Sequence, residues 1–556
     1  MPSVVVSYPL AVSDEPEVTT IAEHLVRRLR ECGVDAGFGI VGDYALRLFN
    51  RMDREGFPLH ITADEQGAAF AADGYARLRG LGVVVVTFSV GALKVANATA
   101  GAWAESVPLL VVSGAPGVAE RKADRLIHHK IKDFDGQLRV FSELTVAQAV
   151  LTDQLTAAAE IDRVLDAMIS QQRPGYIEVP RDMVEIPILD IAGSLEITLP
   201  KLNPVHLEAA LADVLEHLRA SRTAVVMSGS MVARRGVADS LLSLAEVSGI
   251  PVATSSLAKG LFPERHPLAV GEYMGAVSKP EVVARVESAD VILSLGVIQG
   301  DLVLGAFTAH LREDRMIACS DTEVSVGPRT YRHVPLWAFL PALVEALGDQ
   351  QLDLDRSVPD RIFDYEPVAG AELSVETVMA LVTAGIDERH GLLLDPGECV
   401  FAAVDLAAPA WSLSSAFYAT MGYAVPASLG AGLADPTHRP VVLLGDGSFL
   451  QSGFEALAAA HHGVHPIVIV LDNGGFGTQR PMLDGPFNDV PFLAAEELVK
   501  AFGRGTGVRV DTEDEFAKAL RAAVECDDLA IIRACVPLGQ ASAALTRLTD
   551  ELAKRV

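Results

Sequence analysis

The chain alternates short apolar runs with longer stretches of helical period. In the first third the apolar runs are VVVVTF, PLLVVSG and YIEVP, and the helical stretches include TIAEHLVRRLREC and EQGAAFAADGYARL. Apolar runs separated in this way predict parallel strands joined by crossover helices. The pattern recurs twice: first with the runs AVVMSG, PVATSS and DVILSLG, and then with GLLLD, PVVLLGD, PIVIVLDN and LAIIRACV.

Two stretches without periodicity separate these three patterns. Residues 186–204 end in a proline-bounded extended piece, and residues 349–370 are acidic and interrupted by prolines, as linkers are. We therefore predict three α/β domains with doubly wound parallel sheets, over residues 1–185, 205–348 and 371–556. The length of 556 residues agrees with three domains of ordinary size.

Charge and composition exclude several classes of partner. The formal net charge of −28 argues against nucleic acid or an anionic membrane surface. The longest apolar runs fall short of the ~20 residues that a bilayer-spanning helix needs. The N-terminus lacks an early Lys or Arg and does not resemble a secretory signal, and the five scattered cysteines form no CxxC pair. We expect a cytoplasmic protein with reduced thiols.

The strongest chemical signal is a pair of polar clusters, GDGS and DNGG, each at the end of an apolar run. Asp446 and Asn473 are 27 residues apart, enough for one helix and one returning strand. If those two strands are neighbours, Asp446, Asn473 and the backbone carbonyl of Gly475 can converge as oxygen ligands for Mg²⁺ holding a diphosphate. Gly445 and Gly447 allow close approach of the backbone, and the following helix N-terminus favours an anion. Either cluster alone is as readily a turn, but the spaced pair is far more specific.

This pair resembles the thiamine diphosphate motif of the thiamine-dependent decarboxylases and carboligases. The family also has a glutamate in its N-terminal domain, and HITADEQGAAFAADGYARLRG is similar to that segment. The resemblance implies that Glu65 hydrogen-bonds N1′ of the cofactor's aminopyrimidine and activates the cofactor. On its own, Glu65 is also readily explained as a carboxylate that stabilises a helix start.

Further segments resemble the pyruvate and indolepyruvate decarboxylase branch. They are GIVGDYALRLFNRM, VVTFSVGALKVANATAGAWAESVPLLVVSGAP, HHKIKDFDGQLRVFSELT and YATMGYAVPASLGAG. The likeness implies decarboxylation of a 2-oxo acid to an aldehyde and CO₂, with Asp43, His128 and His129 managing the protons. It further implies that Met421 bends the cofactor and that the cofactor is contacted by Thr87, Pro396, Ser448 and Phe476.

The chain departs from this branch at a catalytic position. A glutamate that follows the metal-binding Asn in the branch aligns with Gln479, which hydrogen-bonds but does not exchange a proton at these pH values. Either Gln479 positions substrate while Asp43 and the His pair carry the protons, or slow protonation lets the cofactor-bound intermediate attack a second carbonyl compound, as in a carboligase. A third reading is a catalytically altered paralogue that binds the cofactor in a structural or regulatory subunit. We favour decarboxylation.

Other departures concern the size of the pocket. By alignment a threonine becomes Pro396, a large aromatic residue becomes Val400, a tyrosine becomes Leu302 and an isoleucine becomes Thr478. With Met482 these residues predict a roomy apolar pocket for an aryl or branched-chain 2-oxo acid. The middle domain lacks a G-x-G-x-x-G pattern, so no flavin is expected. The resemblance implies a homodimer or homotetramer with active sites at the subunit interface.

Overall fold

The computed structural model describes residues 18–189, 191, 193–348 and 351–554. The expectation that the first residues are not a secretory signal therefore falls on residues outside the described part, as do linker positions 190, 192, 349 and 350. The chain forms two compact units. The first comprises the described residues up to Leu199 with Pro426–Pro436 and Phe454–Val464, and the second comprises Pro200–Val425, Thr437–Gly453 and the chain from His465.

The first unit contains a six-stranded sheet and a two-stranded ribbon. The strands are β1 (Val18–Thr20), β2 (Gly37–Gly39), β3 (Leu59–Ile61), β4 (Gly82–Val86), β5 (Leu109–Ala115), β6 (Ala147–Val150), β7 (Gly175–Pro180) and β8 (Pro187–Leu189). The helices are α1 (Ile21–Glu31), α2 (Leu46–Arg54), α3 (Glu65–Arg79), α4 (Ala96–Ala104), α5 (Val118–Lys122), α6 (Gly136–Ser142) and α7 (Ala157–Gln171). The sheet is entirely parallel in the order β3-β2-β4-β5-β7-β6, and β1 pairs with β8 antiparallel. The predicted strands and crossover helices of this region are confirmed.

The middle sheet lies in the second unit. Its strands are β9 (Ala224–Ser228), β10 (Val252–Thr254), β11 (Ala269–Glu272), β12 (Val291–Leu295), β13 (Met316–Cys319), β14 (Glu323–Val326) and β15 (Arg329–Arg332). Its helices are α8 (Pro204–Ala220), α9 (Met231–Arg234), α10 (Ala238–Ser248), α11 (Pro280–Glu287) and α12 (Leu336–Leu347). The pairs β13–β14 and β14–β15 are antiparallel, so they add an antiparallel edge to the predicted parallel sheet. The turns that join these strands are too short for a crossover, so only an antiparallel arrangement is open to them.

The C-terminal sheet carries the two polar clusters. Its strands are β16 (His390–Leu394), β17 (Ser412–Ser414), β18 (Arg439–Gly445), β19 (Ile467–Asp472), β20 (Thr506–Val510) and β21 (Ala530–Cys535). The helices of this region are α13 (Val375–Gly385), α14 (Glu398–Ala402), α15 (Ala424–Ala434), α16 (Asp446–Ser452), α17 (Glu455–His461), α18 (Leu498–Phe502), α19 (Glu513–Glu525) and α20 (Ala543–Ala553). The order β17-β16-β18-β19-β21-β20 is parallel throughout. The fold class of three α/β domains is confirmed, while the domain limits given above stay predictions.

Two segments of the C-terminal region belong to the first compact unit. The sequence predicts one helix between β18 and β19, but the chain forms α16 and α17 with a break at Gly453. α17 and most of α15 are assigned to the first unit. Gly430 of α15 lies so close to α3 that a Cβ there would be 1.7 Å from the Ala71 carbonyl oxygen. Glycine at this position therefore permits the two helix backbones to touch.

No helix among the described residues is both long enough and apolar enough to pass through a bilayer.

Candidate active site

Asp446 and Asn473 lie at the same edge of the C-terminal sheet. β18 ends at Gly445 and β19 ends at Asp472, and the two strands are parallel neighbours with Gly445 opposite Leu471. The adjacency on which the predicted convergence depends is therefore confirmed. The carboxyl ends of parallel strands are where open α/β sheets bind ligands.

The polar atoms at this edge fit a divalent cation. Burial, together with the charge of Asp472, raises the pKa of Asp446 to about 6, even though its Oδ1 accepts a 2.8 Å hydrogen bond from the Gly447 N–H. Asn473 is 5% exposed, and no described residue donates a hydrogen bond to its Oδ1. A desolvated carboxylate and an unsatisfied amide oxygen are oxygen donors of the kind that Mg²⁺ binds.

Glycines of both clusters shape the backbone beside these ligands. Gly475 has φ +141°, and a Cβ there would lie 2.0 Å from the Asn488 carbonyl oxygen. A Cβ on Gly447 would lie 2.7 Å from the Phe476 ring. The Phe476 N–H in turn donates to the Asn488 carbonyl at 2.8 Å. Larger residues at positions 447 and 475 would displace the loop that carries the predicted metal ligands.

Arg533 supports the second cluster from the neighbouring strand. It lies in β21 beside β19, and its Nη1 is 2.9 Å from Asp472 Oδ2 while its Nη2 is 2.9 Å from Glu496 Oε1. The guanidinium thus fixes the residue that directly precedes Asn473. Sequence reasoning missed it, although a lone arginine inside the apolar run LAIIRACV was a usable signal.

Asp395 organises a second part of this edge. It is fully buried at the end of β16 and accepts hydrogen bonds from the Gly422 N–H at 2.9 Å and the Ala424 N–H at 2.7 Å. The Ser448 hydroxyl also bonds to this carboxylate, whose pKa burial raises to about 6. Asp395 therefore holds the turn that follows Met421, the residue expected to bend the cofactor. The sequence alignment drew attention to the adjacent Pro396, which is buried, and missed Asp395.

In the first unit Glu65 begins α3, one short turn after the strand β3, as predicted. Its carboxylate is mostly buried, and Oε2 lies 2.7 Å from Lys94 Nζ. The Thr87 hydroxyl, also buried, has no hydrogen-bond partner among the described residues. Thr87 packs against the Gly42 backbone, where a Cβ would lie 2.5 Å from the threonine Cβ. Thr87 therefore lies next to the loop that carries Asp43.

Asp43, His128 and His129 come together as the sequence predicts. His128 Nε2 lies 2.8 Å from Asp43 Oδ2, and the two imidazole rings are 4.6 Å apart between centroids. His129 adopts the left-handed φ of +65°, and its buried Nδ1 has no partner within the described chain. Tyr44, which sequence reasoning missed, stacks on His128 at 4.9 Å. Two imidazoles beside a carboxylate form an arrangement that is chemically able to relay protons.

The predicted pocket residues occupy different surroundings in the second unit. Val400 is buried among the aliphatic side chains of the C-terminal core, and Leu302 packs against the cluster that contains Val404 and Leu545. Gln479 ends a 3₁₀ turn, Gly477–Gln479, and is exposed. Thr478 is half-buried and Met482 is exposed. The proposed pocket roles of these residues remain predictions.

Comparison with known protein families gives three matches along the chain. Residues 19–138 match the N-terminal TPP (thiamine pyrophosphate) binding domain of thiamine pyrophosphate enzymes, residues 211–347 their central domain, and residues 395–534 their C-terminal TPP binding domain.

Individual relatives match over almost the whole chain. An indole-3-pyruvate decarboxylase from Azospirillum brasilense is 34% identical over 542 residues, covering 95% of this chain and 98% of the relative. An alpha-keto-acid decarboxylase from Mycobacterium leprae (strain TN) is 31% identical over 96% of this chain and 95% of its own length. Pyruvate decarboxylase 4 from Arabidopsis thaliana is 30% identical, with coverages of 93% and 88%.

Proposed function

The chain belongs to the thiamine pyrophosphate enzymes and is a 2-oxo acid decarboxylase of that family, and on this premise we propose that it converts a bulky apolar 2-oxo acid to an aldehyde and CO₂ without oxidation. The observation that carries the proposal is the placement of Asp446 and Asn473 at the ends of the neighbouring strands β18 and β19. The unsatisfied Oδ1 of Asn473 and the raised pKa of Asp446 support a cation at that edge.

Each predicted residue has a stated task in this proposal. Asp446, Asn473 and the Gly475 carbonyl would hold Mg²⁺, which would hold the diphosphate, with Gly445, Gly447 and Ser448 at the same edge. Met421, Pro396, Thr87 and Phe476 would contact the organic part of the cofactor. Bound thiamine diphosphate supplies a carbon nucleophile and an electron sink for the bond to the departing carboxylate.

The remaining residues manage protons and substrate. Glu65 would hydrogen-bond the aminopyrimidine N1′. His128, oriented by Asp43 at 2.8 Å, and His129 would carry protons at the reacting centre. Gln479 would hydrogen-bond the substrate without exchanging a proton with it. Because the histidine pair and Asp43 would carry the protons, the position of the branch's glutamate can be occupied by the amide of Gln479.

The substrate class rests on the pocket side chains. We assign Val400, Leu302, Thr478 and Met482 to the substrate side, and by alignment the first three replace bulkier or more polar groups of the branch. A relative named for indole-3-pyruvate, an aryl pyruvate, supports the same size class. We therefore assign an aryl or branched-chain pyruvate in preference to pyruvate itself.

Product analysis on a panel of 2-oxo acids tests this function. The purified protein, supplied with Mg²⁺ and thiamine diphosphate, is incubated with pyruvate, branched-chain and aryl pyruvates, with and without an acceptor aldehyde. We expect CO₂ and free aldehyde, with kcat/KM higher for phenylpyruvate than for pyruvate. Acyloin far in excess of aldehyde would identify a carboligase, and tight cofactor binding without CO₂ release would identify an altered paralogue. Gln479→Glu, run in parallel, shows whether the amide sets the ratio of acyloin to aldehyde.

We further propose a cytoplasmic homodimer or homotetramer with its active sites at the subunit interface. Exposed apolar side chains support an assembly: Leu126 and Ile131 flank the His pair in sequence, and Met482, Leu483 and Phe487 follow Gln479. All five cysteines are free thiols, which supports a reducing compartment. Analytical ultracentrifugation over a range of protein concentrations tests the assembly, and a monomer at every concentration would contradict it.

A further inference from the structure

Glu455 is a buried carboxylate that holds the chain just before Glu65. Its side chain is 4% exposed, Oε2 accepts a 3.0 Å hydrogen bond from the Ala63 N–H, and Oε1 accepts a 3.2 Å hydrogen bond from the Asp64 N–H. These two donors lie in the turn between β3 and α3. Asp64 is the residue that caps α3, through its own bond to the Gly67 N–H at 2.9 Å. Glu455 therefore fixes the backbone from which Glu65 projects.

The first turn of α3 is shaped around this carboxylate. A Cβ on Gly67 would lie 1.9 Å from Glu455 Oε1, so only glycine leaves room for the carboxylate at that position. Burial raises the pKa of Glu455 to about 7, although both N–H groups favour the charged form. A desolvated acid is costly to keep in a folded protein. Here the two backbone hydrogen bonds offset part of that cost and tie the carboxylate to the start of α3.

Lys94 holds the Glu65 side chain itself. It lies in the 3₁₀ turn Ala92–Val95, and its Nζ is 2.7 Å from Glu65 Oε2 and 3.1 Å from Asp64 Oδ2. The ammonium thus bridges the helix cap and the predicted catalytic carboxylate. Both bonds raise the pKa of the lysine, the bond to Glu65 most strongly. The lysine side chain is half-exposed, so its removal leaves no buried cavity.

We propose that Glu455 and Lys94 are positioning residues that together present the Glu65 carboxylate to the cofactor's aminopyrimidine. The inference rests on the proposed role of Glu65. Glu455 fixes the main chain before Glu65, and Lys94 engages Oε2, so we assign Oε1 to the hydrogen bond with N1′. A catalytic group must be held to within about 0.5 Å of its productive place, and a displacement of about 1 Å costs on the order of 10²-fold in rate.

Two isosteric variants test the proposal, each with a matched control. Glu455→Gln turns an NH₂ group toward one of the two backbone N–H donors, and Lys94→Met removes the ammonium with little change in volume. The control for the first is Glu513→Gln, which alters a carboxylate that is likewise 4% exposed and accepts from the Val368 N–H at 2.9 Å. The control for the second is Lys279→Met, which removes a half-exposed lysine 3.1 Å from Asp405.

The measurements separate positioning from general stability. Calorimetry gives the dissociation constant of thiamine diphosphate with Mg²⁺, near-ultraviolet circular dichroism reports the bound aminopyrimidine, and kinetics gives kcat and KM for the 2-oxo acid. We expect Glu455→Gln and Lys94→Met to weaken cofactor binding or lower kcat at least tenfold and to change the aminopyrimidine band, with KM within about twofold. In a Glu65→Gln background, either change should add less than about twofold, because both residues act through Glu65.

Three results would overturn the proposal. If Glu455→Gln and Lys94→Met behave like their controls, the two residues do not position Glu65. If their losses add in full to the loss caused by Glu65→Gln, they act on stability and not through Glu65. Because Lys94 is half-exposed, Lys94→Met keeps the test decisive even where Glu455→Gln unfolds. A wild-type protein that neither binds thiamine diphosphate nor releases CO₂ would sink the proposed function and this inference with it. An active wild type with indifferent variants would overturn this inference alone.

Discussion

Replacing Asp395 by asparagine should remove a defined part of the protein's pH-dependent stability. The folded pKa of Asp395 is about 6 and the unfolded value is near 3.9. The folded state therefore binds more protons between these values, and this acid makes the free energy of unfolding rise as the pH falls from 7.5 to 5.0. The full difference of about two pKa units corresponds to about 3 kcal/mol, of which about 1.4 kcal/mol falls between pH 7.5 and 5.0. Asparagine does not titrate, so the variant should lack this increment.

The assay is urea-induced unfolding of protein free of metal and cofactor, at pH 5.0 and 7.5, for the wild type and Asp395→Asn. Other titrating groups contribute to both proteins, so the difference between the two pH dependences isolates Asp395. Asp387→Asn is the control, because Arg389 holds the pKa of Asp387 near 2 in the folded protein. This carboxyl stays largely ionised in both the folded and the unfolded protein between pH 5.0 and 7.5. The reasoning fails if Asp395→Asn keeps the wild-type pH dependence, or if it departs from it in the opposite direction.

Three further predictions concern the active site. Asp446→Asn keeps an acceptor for the Gly447 N–H but removes an anionic ligand. The affinity for Mg²⁺, measured by calorimetry in the presence of thiamine diphosphate, should therefore fall at least about tenfold. An unchanged affinity would show that Asp446 is not a metal ligand. Asp43→Asn removes the charge 2.8 Å from His128 Nε2, and kcat should fall about 10- to 100-fold with cofactor affinity kept; equal losses in both would indicate a structural role. Gly475→Ala forces a Cβ to 2.0 Å from the Asn488 carbonyl oxygen, so cofactor affinity and melting temperature should both fall. The control is Gly463→Ala, which is also at positive φ but has no described atom within 4 Å of its Cβ, and it should cost only about 1–2 kcal/mol of stability. Similar effects of the two variants would show that the clash at Gly475 is relieved.

Much of the fold could be predicted because its strands are buried on both faces. PVVLLGD and PIVIVLDN become the interior strands β18 and β19, and their polar ends meet because consecutive parallel strands here are neighbours. The convergence of Asp43, His128 and His129 came from the family resemblance, since 85 residues separate Asp43 from His128. Spacing alone carries no information about a contact of that kind.

The positioning groups could not be predicted, since their partners are distant in sequence or are backbone atoms. In sequence, Glu455 resembles an ordinary solvent-exposed acid of an alanine-rich helix. In the structure, it accepts hydrogen bonds from two backbone N–H groups that are 391 and 392 residues away. Asp395 bonds to backbone N–H groups of a turn, which leave no side-chain signature. The antiparallel strands β13 to β15 depend on short turns, which apolar periodicity does not reveal.

The discontinuity of the first compact unit has a consequence for biosynthesis. Its sheet is finished by Leu199, yet it takes helical segments from residues 426–436 and 454–464. At about 5–20 residues per second, the ribosome needs roughly 13 to 51 s to reach the second segment after Leu199 has been made. Until then the Ala-rich face of α3 lacks the helix α15 that packs on it, and the N–H groups of Ala63 and Asp64 lack Glu455 as their acceptor. A nascent chain would expose these groups during that interval, and a fragment ending near residue 185 would lack both segments altogether.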